Sequence, residues 1–299
     1  DWSSDVCSSD LGAHTIVGVV GAGAMGAGIA QIAATRGHPV IVADPARAAL
    51  ARARSGHAKA LDREVEKGRL SRADADAALA RLTYVEGVGA EQIARFAPCG
   101  LVIEAIVERL DAKQELLAAL EQVVAPTAVL ATNTSSLSVA AISGGRKNPE
   151  RFLGIHFFNP APAMRLVEVV RTVATSQEVV DTGVAVCRVI DKHPVVCGDR
   201  AGFIVNALLF PYLNDAIKML EANYASADDI DLAMKKGCGY PMGPFELLDV
   251  VGLDVANAIQ RTLYLEFREP GFAPAPRLEH LVTAGYLGRK TGRGFRDWS

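Results

Sequence analysis

The chain has no excess of either charge: 31 Lys and Arg stand against 34 Asp and Glu in 299 residues, a formal net charge of −3. Without a basic surplus to neutralise phosphates, no nucleic-acid partner is expected, although a local basic patch for a phosphorylated small molecule remains allowed. Cysteine is scarce. The five thiols (Cys7, Cys99, Cys187, Cys197, Cys238) are odd in number and contain no CxxC pair. That argues against a disulfide framework or a zinc site, so no metal is expected, and it favours a reducing, cytoplasmic setting. No apolar run reaches the roughly 18 residues that span a bilayer, so no membrane partner is expected either. Internal repeats are missing, and low complexity is confined to the opening DWSSDVCSSD. That stretch lacks the basic and apolar regions of a signal peptide. Residues 1–12 read as a flexible or non-native leader and are set apart from the fold.

What is present is a large apolar fraction, 50% of residues, which excludes disorder as the main state. The length suits one or two domains of roughly 100–200 residues each. His14–Val20 is a short β-branched run of the kind found in buried parallel strands, followed at once by Gly21-Ala-Gly23-Ala-Met-Gly26 and a small-residue helix over 27–35. Further strands are expected at 40–43, 101–103, 129–131, 152–158, 166–170 and 195–197. Helices are expected at 46–67, after Ser71, at 109–124 and at 177–190. Alternating strands and helices imply a parallel sheet covered on both faces, an α/β doubly wound domain over residues 13–200. Beyond residue 200 the strands stop. Helices are expected at 203–221, 227–236, 245–251, 255–267 and 277–283, an all-helical domain over 201–299.

The Gly21-x-Gly23-x-x-Gly26 spacing stands between a strand and a helix, the context a dinucleotide fingerprint requires. Gly21 allows the tight turn, Gly23 the approach of a pyrophosphate and Gly26 close packing. Ala24 and Met25 open the helix whose N-terminal amides face the phosphates. Asp44 follows Gly26 by 18 residues at the end of the second strand. A carboxylate there accepts from ribose hydroxyls and repels a 2′-phosphate, which favours NAD over NADP. It could equally cap the next helix with Pro45 at its first position, and Arg47 nearby leaves NADP open. His156, in Gly154-Ile-His156-Phe-Phe-Asn159, follows a strand, and Glu168 stands twelve residues later inside an apolar strand. An acid in such a strand is costly unless paired. The two residues form either an acid–base pair or a structural ion pair. Asn133-Thr-Ser135-Ser136 offers helix-capping groups or a hydroxyl aimed at a ligand. Asn206 needs a partner among Phe, Ile, Val and Leu, in the core or on a ligand. The 203–220 helix carries apolar residues most of the way round, so it needs cover beyond a single stripe. A second copy of the chain is the expected cover, the first domain of the same chain the alternative.

These segments together resemble the short-chain L-3-hydroxyacyl-CoA dehydrogenases, most nearly their bacterial 3-hydroxybutyryl-CoA branch. The resemblance is carried by VGVVGAGAMGAGIAQ (17–31), LVIEAIVE (101–108), NTSSLS (133–138), GIHFFNP (154–160), LVEVV (166–170), GFIVN (202–206), GYPMGPFELLDVVGLD (239–254) and GRKTGRGF (288–295). It covers everything after the leader. It implies a Rossmann-like domain, a helical domain that dimerises and binds substrate, and NAD-dependent oxidation of a 3-hydroxyacyl-CoA thioester in fatty-acid metabolism. By the same resemblance His156 is the base and Glu168 its partner, while Ser135 and Asn206 position substrate. Asp44, Glu108, Lys113, Ser135, Asn159 and Lys290 are NAD contacts, and Lys67 contacts the CoA moiety. Ala60 departs from the serine some relatives place beside CoA. The alternatives are a related hydroxy-acid dehydrogenase of the same fold and an inactive NAD- or CoA-binding protein.

Overall fold

The structure, a computed structural model, describes residues 15–298. The leader expected over 1–12, and the start of the first strand at His14, lie outside the described residues.

The chain divides into two compact units, one ending at Asp199 and one beginning at Arg200. In the first, eight strands form one sheet: β1 (Val17–Val20), β2 (Val40–Asp44), β3 (Leu82–Glu86), β4 (Leu101–Glu104), β5 (Val129–Thr132), β6 (Phe152–Phe157), β7 (Leu166–Arg171) and β8 (His193–Gly198). Their spatial order is β3-β2-β1-β4-β5-β6-β7-β8. Strands β1 to β6 are mutually parallel. The interleaved helices are α1 (Ala24–Thr35), α2 (Arg47–Glu66), α3 (Arg72–Ala80), α4 (Ala90–Ala94), α5 (Leu110–Val123), α6 (Val139–Ser143) and α7 (Gln177–Val189).

β1, β4 and β5 are buried along their whole length, as parallel strands between two helical layers must be. Alternate residues feed the two layers: Val17 and Val19 join one apolar cluster with Ile103, and Val20 joins the other with Phe96 and Val102. The strand order reverses between β1 and β4, which leaves a crevice at their carboxyl ends.

Two features depart from the sequence reading. The sheet is not wholly parallel, because β7 runs antiparallel to β6. Only residues 158–165 join them, too short for the crossover that a parallel pair needs. Strand β3 and helix α4 were not expected. Leu-Thr-Tyr-Val-Glu buries only its first and fourth residues, and α4 is a five-residue turn too short to show a period.

The second unit is helical: α8 (Val205–Glu221), α9 (Ala227–Gly237), α10 (Pro244–Val251), α11 (Leu253–Phe267) and α12 (Pro276–Thr283). α8 begins two residues later than expected. Gly202 and Phe203 sit at φ 75° and 49°, a region closed to a right-handed helix. Phe210, Leu213 and Ile217 of α8 pack with Phe245, Leu248 and Leu263 in this unit's own core. Buried Asp249 accepts from the Phe295 and Arg296 amides at 2.8 and 2.9 Å and from Trp298 Nε1 at 2.9 Å, stapling the terminal segment to α10.

Candidate active site

The turn after β1 is shaped by two close approaches. Gly21 has φ 107°, and a Cβ there would lie 2.4 Å from the Ala105 carbonyl oxygen that follows β4. A Cβ on Gly26 would lie 1.8 Å from the Gly21 carbonyl oxygen. Neither position can carry a side chain. Gly23 is different: nothing lies within 4 Å of the space its Cβ would fill. Its bareness keeps a surface open and serves no internal packing. Gly23 is also the N-cap of α1, which has no capping side chain and no acid in its first turn. Exposed Ala24 and half-buried Met25 open the helix, so its amide end is presented to an anion.

Asp44 braces this turn. Its Oδ2 accepts from the Ala22 amide at 2.8 Å and its Oδ1 from the Ala46 amide at 2.7 Å. The expectation that Pro45 might begin the next helix is corrected: Ala46 is the N-cap and α2 starts at Arg47. Arg47 lies 3.8 Å from Glu86, mostly in solvent. Gly21, Gly23, Asp44, Ala105 and Ile106 line a cavity of about 640 Å³. An open glycine, an uncapped helix end and a carboxylate fixed at the rim fit the pyrophosphate and ribose of a dinucleotide.

The second cluster lies on β6 and β7. Their antiparallel register sets His156 directly opposite Glu168. His156 Nδ1 donates to Glu168 Oε2 at 2.7 Å, and the two residues are 5% and 1% exposed. Ile155, Phe157, Val167 and Val169 fill the core on one face of these strands, so the polar pair shares the other. With the proton held on Nδ1, Nε2 is the basic nitrogen of the ring. The Phe158 ring stands 4.6 Å from the imidazole, centroid to centroid.

A third element, the 133–138 loop, is tied to both. Asn133 Oδ1 accepts from the Phe157 amide at 2.9 Å, fixing the loop beside the strand that carries His156. Glu108 holds the loop from below: its Oε1 accepts from Thr134 Oγ1 at 2.6 Å, the Ser135 amide at 3.0 Å and the Ser136 amide at 3.2 Å. Burial alone would raise the Glu108 carboxyl, but the Lys113 charge and these donors hold it below its ordinary value. The capping role considered for this loop falls to Ser138, whose Oγ accepts from the Ala141 amide at 3.1 Å. Asp199 adds acceptors for the Val139 and Ala140 amides.

Lys113 is 1% exposed, with Nζ 2.6 Å from Glu104 and 3.2 Å from Glu108. It is a buried partner of Glu108, not a residue on the cavity wall. Asn159 is exposed just past the end of β6. Asn206 and Lys290 belong to the helical unit, Asn206 buried at the start of α8 and Lys290 paired with Asp254 at 2.5 and 2.7 Å. Lys67 caps the C-terminus of α2 and is exposed. It lines a second cavity, of about 570 Å³, together with Arg36, Arg63, Arg69, Arg165 and Lys192. Sequence reasoning missed two residues here. Glu104 ends an apolar strand and gave no sign of its partner. Buried Lys192 donates to the Ala161 and Met164 carbonyls at 2.7 and 2.8 Å, and burial lowers its ammonium. Nothing in Asp-Lys-His singled it out.

A dinucleotide cradle at a parallel switch point, a buried His–Glu pair in the same unit and a helical unit following in sequence define a two-domain NAD-dependent dehydrogenase. Residues 16–200 match the 3-hydroxyacyl-CoA dehydrogenase NAD-binding domain, and residues 202–298 match the C-terminal domain of the same family. The chain belongs to the 3-hydroxyacyl-CoA dehydrogenase family. It is 44% identical over 281 residues to a 3-hydroxybutyryl-CoA dehydrogenase of Mycobacterium tuberculosis, covering 93% of this chain and 96% of that protein. It is 43% identical over 283 residues to the human mitochondrial hydroxyacyl-coenzyme A dehydrogenase, covering 93% and 90%. The solved structure of (S)-3-hydroxybutyryl-CoA dehydrogenase from Ralstonia eutropha superposes with a TM-score of 0.91 at 38% identity, covering 96% of this chain and 99% of that one.

Proposed function

We propose that the chain oxidises a short L-3-hydroxyacyl-CoA, 3-hydroxybutyryl-CoA first among them, to the 3-ketoacyl-CoA. The observation that carries this reading is the His156–Glu168 pair, set by strand register and tied to the Ser135 loop through Asn133 and Phe157. Bound NAD⁺ supplies the acceptor for the hydride that leaves C3. His156 Nε2 takes the hydroxyl proton, and Glu168 holds the ring and offsets the imidazolium charge. Ser135 and Asn206 hydrogen-bond the substrate oxygens. Asp44 accepts from the adenosine ribose, and Gly21, Gly23, Ala24, Met25 and Gly26 receive the pyrophosphate. Glu108, Asn159 and Lys290 complete the cofactor contacts. Lys113 serves through Glu108. Arg63, Arg69 and Arg165, which line the same cavity as Lys67, suit the phosphates of CoA.

The helical unit is proposed to pair with a second copy. Leu208 is 72% exposed, and Met219, Leu232, Val255 and Leu265 are exposed on the same unit. A reducing, cytoplasmic location suits buried Cys99 and Cys187, free thiols pushed up to about 12 by burial. Among the described residues no helix is long and apolar enough to cross a membrane.

The test is NADH formation from NAD⁺ with a panel of L-3-hydroxyacyl-CoA chain lengths, with free 3-hydroxybutyrate alongside. Turnover of the thioester supports the reading. Turnover of the free acid alone would move the protein to the hydroxy-acid dehydrogenases, and NADH binding without turnover would make it a binding protein.

A further inference from the structure

Glu104 is fully buried at the carboxyl end of β4, and Lys113 is 1% exposed on α5. Either charge alone in such a place would be very costly. Each is satisfied by a defined set of partners. Glu104 Oε1 accepts from Lys113 Nζ at 2.6 Å and from the Ile106 amide at 2.7 Å, and Oε2 accepts from Thr132 Oγ1 at 2.7 Å. The register aligns Val20 with Glu104 and Glu104 with Thr132, across three strand ends at the switch point. The residue after Glu104 is Ala105, whose carbonyl bounds Gly21, and Ile106 lines the dinucleotide cavity.

The chain of contacts continues outward. Lys113 lies 3.2 Å from the second carboxylate, Glu108, and Glu108 in turn carries the Thr134 hydroxyl and the Ser135 and Ser136 amides. Two carboxylates thus share one ammonium between the sheet and the serine loop. A buried ionic group of this kind is poor value for stability, since apolar residues of the same volume are often as good or better. What it does provide is fixed geometry. An ammonium clamped on one side by a carboxylate with three donors cannot drift, and it dictates where the second carboxylate stands.

We infer that Glu104 is a positioning residue for the reaction: through Lys113 it fixes Glu108, and through Glu108 it fixes the backbone of Ser135 and Ser136. The inference rests on the dehydrogenase reading, in which Ser135 meets the substrate. Nothing in it requires Glu104 to touch substrate or cofactor.

The test is a double-mutant cycle of Glu104→Gln and Glu108→Gln. Glutamine at 104 keeps the shape and can still accept from Lys113 and Ile106; it removes the charge and turns the acceptor facing Thr132 Oγ1 into a donor, which the hydroxyl can accept by rotating. Two readouts are followed: amide hydrogen exchange at Ser135 and Ser136 in the cofactor-free protein, and steady-state kcat and KM. Glu104→Gln is expected to speed exchange at both amides about tenfold. It is expected to lower kcat about tenfold to a hundredfold, with KM for the thioester nearly unchanged. The double variant should be no worse than Glu108→Gln alone, because the first effect passes through the second residue. Additive effects, or a folded Glu104→Gln protein with only a lower Tm and unchanged exchange and kcat, would overturn the inference. If Glu104→Gln does not fold, Thr132→Val, which removes the donor to Oε2 together with a 3.3 Å acceptor of the Thr134 amide, must speed exchange at Ser135 and Ser136 in the wild-type background and not in the Glu108→Gln background, and no change in the first or an equal change in both overturns it. The exchange cycle reads out even if no acyl-CoA is turned over, so a failure of the network and a failure of the dehydrogenase reading are told apart.

Discussion

Asp44 performs two tasks with one carboxylate. Each oxygen takes one backbone amide of the turns it braces, which leaves lone pairs toward the cavity. Replacing it with serine removes the like-charge clash with a 2′-phosphate. Asp44→Ser should therefore lower the ratio of kcat/KM for NAD⁺ over NADP⁺ by about tenfold or more. A parallel titration with the two cofactors checks this, and a wild-type preference for NADPH would remove the argument. Glu168→Gln should retain the hydrogen bond from His156 Nδ1 and lose the charge that offsets the imidazolium. Its kcat should fall by about 10² or more, with NADH affinity unchanged. Asp44, His156 and Glu168 were legible because each breaks a local rule: an acid closing a strand after a glycine-rich turn, and a histidine and an acid in apolar strands. Glu104 was hidden, because a glutamate after Leu-Val-Ile reads as a strand leaving the core. Lys113 was reached only through the resemblance, and its burial was not legible, because a lysine on an amphipathic helix reads as its solvent face.

At the scale of elements, the strand-turn-helix of β1 and α1 was legible because local glycine spacing dictates it. β3 was not, since an edge strand needs little burial to be held by its neighbour's hydrogen bonds. Nor was the tie that binds α2 to it. His57, 1% exposed, lies in a run of Ala, Arg and Lys that reads as solvated. Its Nε2 donates to the Ala27 carbonyl of α1 at 2.8 Å, and its Nδ1 accepts from the Tyr84 hydroxyl of β3 at 2.6 Å. Burial lowers the imidazole below 6.5. The unfolded chain therefore takes up this proton first, and stability is lost as pH falls from 6.5 through the lower folded value. A plot of Tm against pH should show a decline below that point. His57→Gln should flatten it, and an unchanged slope would show that other groups cause it.

For the whole molecule, the apolar circumference of the 203–220 helix resolves into two parts. Phe210, Leu213 and Ile217 are spent on the unit's own core, while Leu208 projects into solvent. A charge at Phe210 or Leu213 would unfold the unit, so Leu208→Glu is the informative change. Sedimentation should give a mass near twice 31.6 kDa for the wild type and a shift toward 31.6 kDa for Leu208→Glu. A wild-type mass of 31.6 kDa at every concentration would exclude the dimer. The reaction itself is decided by following NADH production from NAD⁺ and L-3-hydroxybutyryl-CoA in the wild type and in His156→Gln. The geometry predicts turnover in the wild type, a loss of roughly 10²–10⁴ in kcat in the variant, and equal NADH affinity in both. Equal turnover in the two proteins, or none in the wild type with any acyl-CoA, would contradict it.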